Sequence, residues 1–271
     1  MPNIKSTRKT VGLALGSGAY RGFAHIGVLK SLIKNNITID YLSGCSIGAW
    51  VAAYYALFED LQKIKKDLIN NQKEAISLFF DFDWSGGLIG GKKLIAYLEK
   101  NLQNCNFSDL KIPLKIVATD MSNGQPFIFD QGKVAQAVRA STSVPLIFKP
   151  FSYQGKLLID GGLCNPVPGN LVREMGADIV IGVNLYNKNE FLVEKVNMPN
   201  VLNRIKKIIL YNLSQASIPS CDVVIEPDIS RFIKKSSLTK YFTKEVAEEI
   251  ILIGERATDR VIPLIKSKLK L

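Results

Sequence analysis

Three short stretches of the chain carry residue types able to do chemistry. Gly44-Cys45-Ser46-Ile47-Gly48 sets a serine between glycines, after Tyr41–Gly44, which reads as a short strand, and before an apolar segment to Phe58, which reads as a helix. A sharp strand-to-helix turn at that point strains the serine backbone, and the glycines remove side chains that would clash. It presents Ser46 Oγ at the C-terminal edge of a sheet, beside a helix N-terminus whose dipole favours developing negative charge. The competing reading is a tight turn with a helix-capping serine. Gly16-Ser17-Gly18-Ala19-Tyr20-Arg21-Gly22 also follows a strand and opens a helix, so its backbone N–H groups converge on an anion. As a pyrophosphate cradle it fails at the last glycine of G-x-G-x-x-G, where Arg21 stands. As an oxyanion hole it needs only small residues and free N–H groups, and a packed glycine turn is the third option. Asp160-Gly161-Gly162 follows the apolar run Leu157–Ile159 and brings a carboxylate to the sheet edge that carries Ser46, although Asp-Gly-Gly alone is an ordinary turn.

The chain contains one histidine, His25. A polyhistidine metal site is therefore excluded, and no clustered cysteine and carboxylate set replaces it. An α/β-hydrolase triad runs Ser, Asp, His in chain order, and no histidine follows Ser46. His25 lies in the helix after the glycine-rich turn, where a structural hydrogen bond is the default role. A nucleophilic Ser46 must then take a carboxylate as its base, and Asp160 is the best-placed candidate.

The elements that hold these residues alternate. Val11–Leu15 reads as a buried strand, with a helix over residues 22–35, then the strand and helix around Ser46. Residues 60–80 look helical and amphipathic, and Gly86-Gly87 and Gly90-Gly91 break the chain before a helix over Lys92–Asn101. Strands are expected at Leu114–Ala118, Pro126–Phe129, Leu157–Ile159, Ile179–Val183 and Val223–Ile225. Helices are expected at Val134–Ala140, Pro168–Met175, Leu202–Gln215 and Thr243–Lys268. This alternation predicts an α/β fold around a mostly parallel central sheet. Without repeats or a long linker, residues 11–271 read as one catalytic domain preceded by a tail, residues 1–10.

Composition narrows the class. A chain of 271 residues with 47% hydrophobic and 22% charged residues can bury a core without disulfide or metal support. The four cysteines are scattered, with no C-x-x-C pair. The longest apolar run, Ile47–Phe58, is too short to cross a bilayer, and the glycine-interrupted N-terminus does not make a secretory signal, so the protein is expected in the cytoplasm. Thirty-five Lys and Arg against 24 Asp and Glu give a net charge of +11. That excess fits either a solvated lysine surface or an anionic partner; a membrane suits it better than nucleic acid, for which no binding signature is present. Arg204, Lys206 and Lys207, interleaved with Ile205, Ile208, Ile209 and Leu210, belong to a helix that either rests on an anionic bilayer or covers the sheet.

Taken together, these blocks resemble the patatin-like phospholipases, in their compact bacterial branch. The resemblance runs through Gly12-Leu13-Ala14-Leu15-Gly16-Ser17-Gly18, Arg21–Leu29, Gly44–Ala49, Ala118-Thr119-Asp120, Ala137–Ser141 and Asp160–Pro168, with Gly176-Ala177-Asp178 and Pro227-Asp228-Ile229 in the expected places. It implies a three-layer α/β/α sandwich that hydrolyses acyl esters of phospholipids or lysophospholipids, with Ser46 as nucleophile, Asp160 as base and no cofactor or calcium. The motif residues are Gly44, Gly48, Gly161 and Gly162. The oxyanion falls to N–H groups around Ser17, Gly18 and Ala19, with Arg21 and Gly22 completing that motif. Many relatives carry glycine at the positions of Ser17 and Ala19, and Ser or Ala preserves the donors where φ is negative. An acyl groove draws on Trp50, Tyr54, Leu57 and Phe58 and on Phe79, Phe80, Phe82 and Trp84, which otherwise are core. The alternatives are a silent lipid- or nucleotide-binding protein of the same fold and a transacylase.

Overall fold

The computed structural model describes residues 8–70, 82–83, 88–188, 197–232 and 243–271. Its central sheet contains eight of the strands: β1 (Val11–Leu15), β2 (Tyr41–Cys45), β5 (Leu114–Asp120), β6 (Pro126–Phe129), β7 (Phe151–Tyr153), β8 (Lys156–Asp160), β9 (Ile179–Val183) and β10 (Val223–Ile225). β3 (Phe82–Asp83) and β4 (Leu88–Ile89) form a separate short hairpin. The strands run β10-β9-β1-β2-β5-β8-β7, with β6 also on β5. The first five are mutually parallel, and β6, β7 and β8 join antiparallel.

The sheet is covered on both faces, which is why β1 and β9 are buried at every position. Side chains alternate along β1. Val11, Leu13 and Leu15 enter the main core. That core also takes the inward faces of α1 (Phe23–Lys34), α2 (Ile47–Phe58) and α8 (Lys244–Leu269). Ala14 points the other way and packs with Val172 of α6 (Gly169–Glu174), Ala177 and Val180. The layers are thus helix, sheet, helix. α1 and α8 pack backbone to backbone where Gly27 and Gly254 cross. A Cβ on Gly27 would collide with the Ile251 carbonyl, and one on Gly254 with that of Ala24.

The remaining helices are α3 (Leu61–Lys65), α4 (Lys92–Asn101), α5 (Val134–Ser141) and α7 (Met198–Ser217). The amphipathic stretch expected over 60–80 is α3 followed by a π-helical turn over Lys66–Asn70; residues 71–81 lie outside the described residues. β7 was not evident from sequence. It is joined to β8 by the two-residue turn Gln154-Gly155, both at positive φ (50° and 76°), a hairpin turn that reverses β8 against the parallel strands. Of the expected N-terminal tail, Arg8–Thr10 are tied down. Arg8 pairs with Asp40, and the Thr10 N–H donates to Asp178 at 2.8 Å.

Candidate active site

β5 determines how the Ser46 and Asp160 side chains meet. β6 occupies one edge of Ile116–Thr119, so β2 and β8 share the other edge end to end. Val117 pairs with Cys45 in parallel, and the next residue, Ala118, pairs with Asp160 in antiparallel. The residue that follows Cys45 and the last residue of β8 therefore converge. Ser46 Oγ donates to Asp160 Oδ2 at 2.7 Å, and both side chains are buried.

Ser46 stands at φ 55°, ψ −122°, a backbone conformation that costs an L-residue of order 1–3 kcal/mol. Close packing and one hydrogen bond hold it there. A Cβ on Gly44 would lie 2.5 Å from Ala49 Cα, and one on Gly48 would collide with the Leu15 carbonyl, so only glycines let α2 start this close to β1 and β2. The Ser46 N–H donates to Ser141 Oγ at 2.7 Å, and Ser141 Oγ in turn donates to the Val117 carbonyl at 2.7 Å. Ser46 makes no side-chain cap bond to α2, so the capping-serine alternative is excluded.

Asp160 is held at every polar atom. Its N–H donates to the Ser143 carbonyl at 3.0 Å, and its carbonyl accepts from Thr119 Oγ1 at 2.8 Å. Oδ1 accepts from the Gly162 N–H at 2.8 Å, and Oδ2 accepts from Ser46. A side chain on Gly161 would collide with the Val117 carbonyl, so this turn needs its glycine. Burial raises the Asp160 carboxyl to about 6, against the pull of the Ser46 hydroxyl, the Gly162 N–H and the positive charge of Lys206. A carboxylate near 6 is ionised at neutral pH yet basic enough to take a proton across a 2.7 Å bond.

The glycine-rich loop lies beside the start of α2, where Gly22 leaves room for the Ile47 side chain. Its N–H groups are divided. Gly16 N–H donates to the Val183 carbonyl and Ser17 N–H to the Pro166 carbonyl, whereas those of Gly18 and Ala19 have no acceptor among the described residues. Ser17 is therefore excluded as a backbone donor to a ligand. Ala19 takes φ 52°, so the condition of negative φ is not met there, and a glycine would adopt this backbone more readily. Arg21 is buried, donates to the Gly18 carbonyl at 3.2 Å and stacks over the rings of Tyr20 and Tyr186. The His25 Nε2–H donates to the Gly16 carbonyl at 2.8 Å, and burial lowers its pKa to about 4. His25 is thus a neutral prop of the loop.

Sequence reasoning did not single out Ser141, Thr119 or Tyr186 by role, and it did not connect Lys206 with Asp160. Ser17 Oγ and Tyr186 Oη lie 2.9 Å apart in the buried region under the loop. α7 packs against Gly161–Leu163, which brings Lys206 within electrostatic reach of Asp160. Of the proposed acyl groove, Tyr54 is fully buried in the core, and Trp50, Leu57 and Phe58 are partly buried and pack against it. Phe79, Phe80 and Trp84 lie outside the described residues, and Phe82 begins β3. Among the described residues no cluster of His, Cys, Asp or Glu could hold a metal ion, and no helix is long and apolar enough to cross a membrane.

The family model for patatin-like phospholipases matches residues 13–171, a span that runs from β1 through both Ser46 and Asp160. The chain belongs to the patatin-like phospholipase family. It is 32% identical over 198 residues to an uncharacterized NTE family protein of Mycobacterium tuberculosis, covering 72% of this chain and 54% of the relative. It is 28% identical over 190 residues to the mouse patatin-like phospholipase domain-containing protein 6, covering 68% of this chain and 14% of that protein. The chain thus spans about half the length of the mycobacterial relative and a small part of the mouse one. In fold it is similar to VipD from Legionella pneumophila, with a TM-score of 0.62 at 14% identity, over 96% of this chain and 67% of VipD.

Proposed function

We propose that the protein is a serine acyl hydrolase that cleaves fatty-acyl esters of phospholipids or lysophospholipids at an anionic membrane surface. The observation that carries this reading is the 2.7 Å hydrogen bond from a strained Ser46 to a buried Asp160. Ser46 Oγ attacks the ester carbonyl as its proton passes to Asp160 Oδ2, and the carbonyl oxygen becomes an oxyanion beside Gly18 and Ala19, whose N–H groups are unclaimed. The tetrahedral species collapses to an acyl-Ser46, and the proton on Asp160 leaves with the alcohol. A water molecule then gives one proton to Asp160 and attacks the acyl-enzyme; the fatty acid leaves as Asp160 passes that proton to Ser46 Oγ, restoring the hydroxyl and the carboxylate. A transacylase would share the first half and differ in the acceptor.

Labelling with a fluorophosphonate probe tests the nucleophile, and release of fatty acid from phospholipid and lysophospholipid tests the reaction. The expected result is one label on Ser46, absent in Ser46→Ala, and loss of fatty-acid release in Ser46→Ala and Asp160→Asn. An unlabelled, folded wild-type protein would make it a binding protein of this fold instead.

A further inference from the structure

α7 is built unlike the other helices that cover the sheet. Successive residues of a helix turn by about 100°, so Met198, Val201, Ile205, Ile208 and Ile209 fall along one side. All five are exposed, from 37% at Val201 and Ile208 to 72% at Met198. Ser214, on the opposite side, is fully buried. The helix therefore rests on the protein by its other face and turns an apolar stripe to solvent, the reverse of a helix whose purpose is to cover a sheet. Arg204 and Lys206 flank the stripe on its two sides, and Met198–Ser217 contains no acidic residue. This is the pattern of a helix that lies in a lipid interface, apolar side chains among the acyl chains and cations at the headgroups.

Its position is equally telling. α7 packs on the Gly161–Leu163 turn that follows Asp160, and the charge of Lys206 reaches the Asp160 carboxylate. We infer that the exposed stripe of α7, with Arg204 and Lys206 at its borders, is a docking surface for an anionic phospholipid bilayer and holds the Ser46–Asp160 site against the lipid. The inference rests on the lipid-ester reading above for the purpose of docking, but the contact itself needs no turnover. Positive charge with no acid on the helix itself selects an anionic lipid surface over the mixed charge of a protein partner, and it disfavours a second copy of the same cationic stripe.

Co-sedimentation of the Ser46→Ala protein with vesicles tests the docking without hydrolysis, so a failure of the proposed reaction leaves the result readable. The expected outcome is binding to vesicles of phosphatidylcholine with phosphatidylglycerol, much weaker binding to phosphatidylcholine alone, and weakening as salt rises. Arg204→Gln with Lys206→Gln should weaken binding about 25-fold, at about fivefold for each cation near the surface. Ile205→Glu with Ile209→Glu should abolish it, with a circular dichroism spectrum and melting curve matching the parent. Equal binding to neutral and anionic vesicles, or stripe variants that bind like the parent, would overturn the inference. So would a dimer in light scattering that the glutamates dissociate, since the stripe would then be covered by a second copy.

Discussion

Ser141 Oγ accepts the Ser46 N–H at 2.7 Å and donates to the Val117 carbonyl at 2.7 Å, so one buried hydroxyl joins the strained turn to the strand that aligns Asp160. Neither end of this bridge meets water, and the bridge fixes the direction in which Ser46 presents its oxygen.

Ser141→Ala leaves a buried N–H and a buried carbonyl without this partner. Stability should fall by about 2–3 kcal/mol in urea unfolding. Ester hydrolysis should lose about 10- to 100-fold in kcat with little change in KM, because the hydroxyl is displaced while substrate contacts persist. Unchanged kcat in a folded Ser141→Ala protein would leave the bridge a purely structural element.

The carboxyl of Asp160 rises from 3.8 in the unfolded chain to about 6 in the fold. It binds its proton more tightly when folded, so its contribution to stability is fully present below about pH 3.8 and is lost as pH rises through about 6. Asp160→Asn removes this loss and should be more stable than wild type at pH 7, by no more than about 3 kcal/mol. If Asp160 is the base, as proposed, it must be ionised to act, so kcat/KM of wild type should climb with pH through about 6 and then level off. A pH-rate profile flat between 5 and 7 (roughly one unit either side of that value) would argue against Asp160 as the base.

Ser46→Gly and Ser46→Ala both lose the hydroxyl, but only glycine accepts φ 55°, ψ −122° without cost. The glycine variant should therefore be more stable than the alanine variant by about 1–2 kcal/mol in thermal or urea unfolding. Equal stabilities would mean that the turn relaxes when the serine is replaced.

Ala19 holds φ 52° without a glycine's freedom. Ala19→Gly removes a strain of about 1–2 kcal/mol and adds about 0.5–1 kcal/mol of unfolded-chain entropy, leaving a gain of up to about 1.5 kcal/mol. With the N–H retained, the hydrolysis rate should stay within a few-fold of wild type. A clear loss of stability, read as a lower urea midpoint, would contradict the left-handed geometry at this residue.

Much of this arrangement is legible in the sequence because it is local. A strand followed by G-x-S-x-G and a helix dictates the turn at Ser46, and Asp160-Gly161-Gly162 after an apolar run dictates the second. The single histidine pointed to a carboxylate partner, and the fold bonds His25 to the Gly16 carbonyl while Ser46 bonds Asp160. What stayed hidden depends on partners distant in the chain. Nothing near Ser17 announces that its N–H is taken by Pro166, and nothing near β8 shows that it runs antiparallel, which follows from the Gln154-Gly155 turn. The basic helix was the most ambiguous element. Its pattern fits covering the sheet or meeting solvent, and only the burial of Ser214 opposite the exposed isoleucines tells which side faces the protein.

The pairing of Val117 with Cys45 and of Ala118 with Asp160 also separates what evolution can vary from what it must keep. Ser46 and Asp160 stand 114 positions apart, but their distance is metered by one peptide unit of β5. Segments spliced between them can lengthen, shorten or be exchanged, provided Gly48, β5 and Ser141 survive. A single residue inserted between Val117 and Ala118 would shift one register against the other and turn the carboxylate toward the wrong face. The Ser46–Asp160 pair is thus a fixed mount, and the rest of the intervening chain is interchangeable tooling.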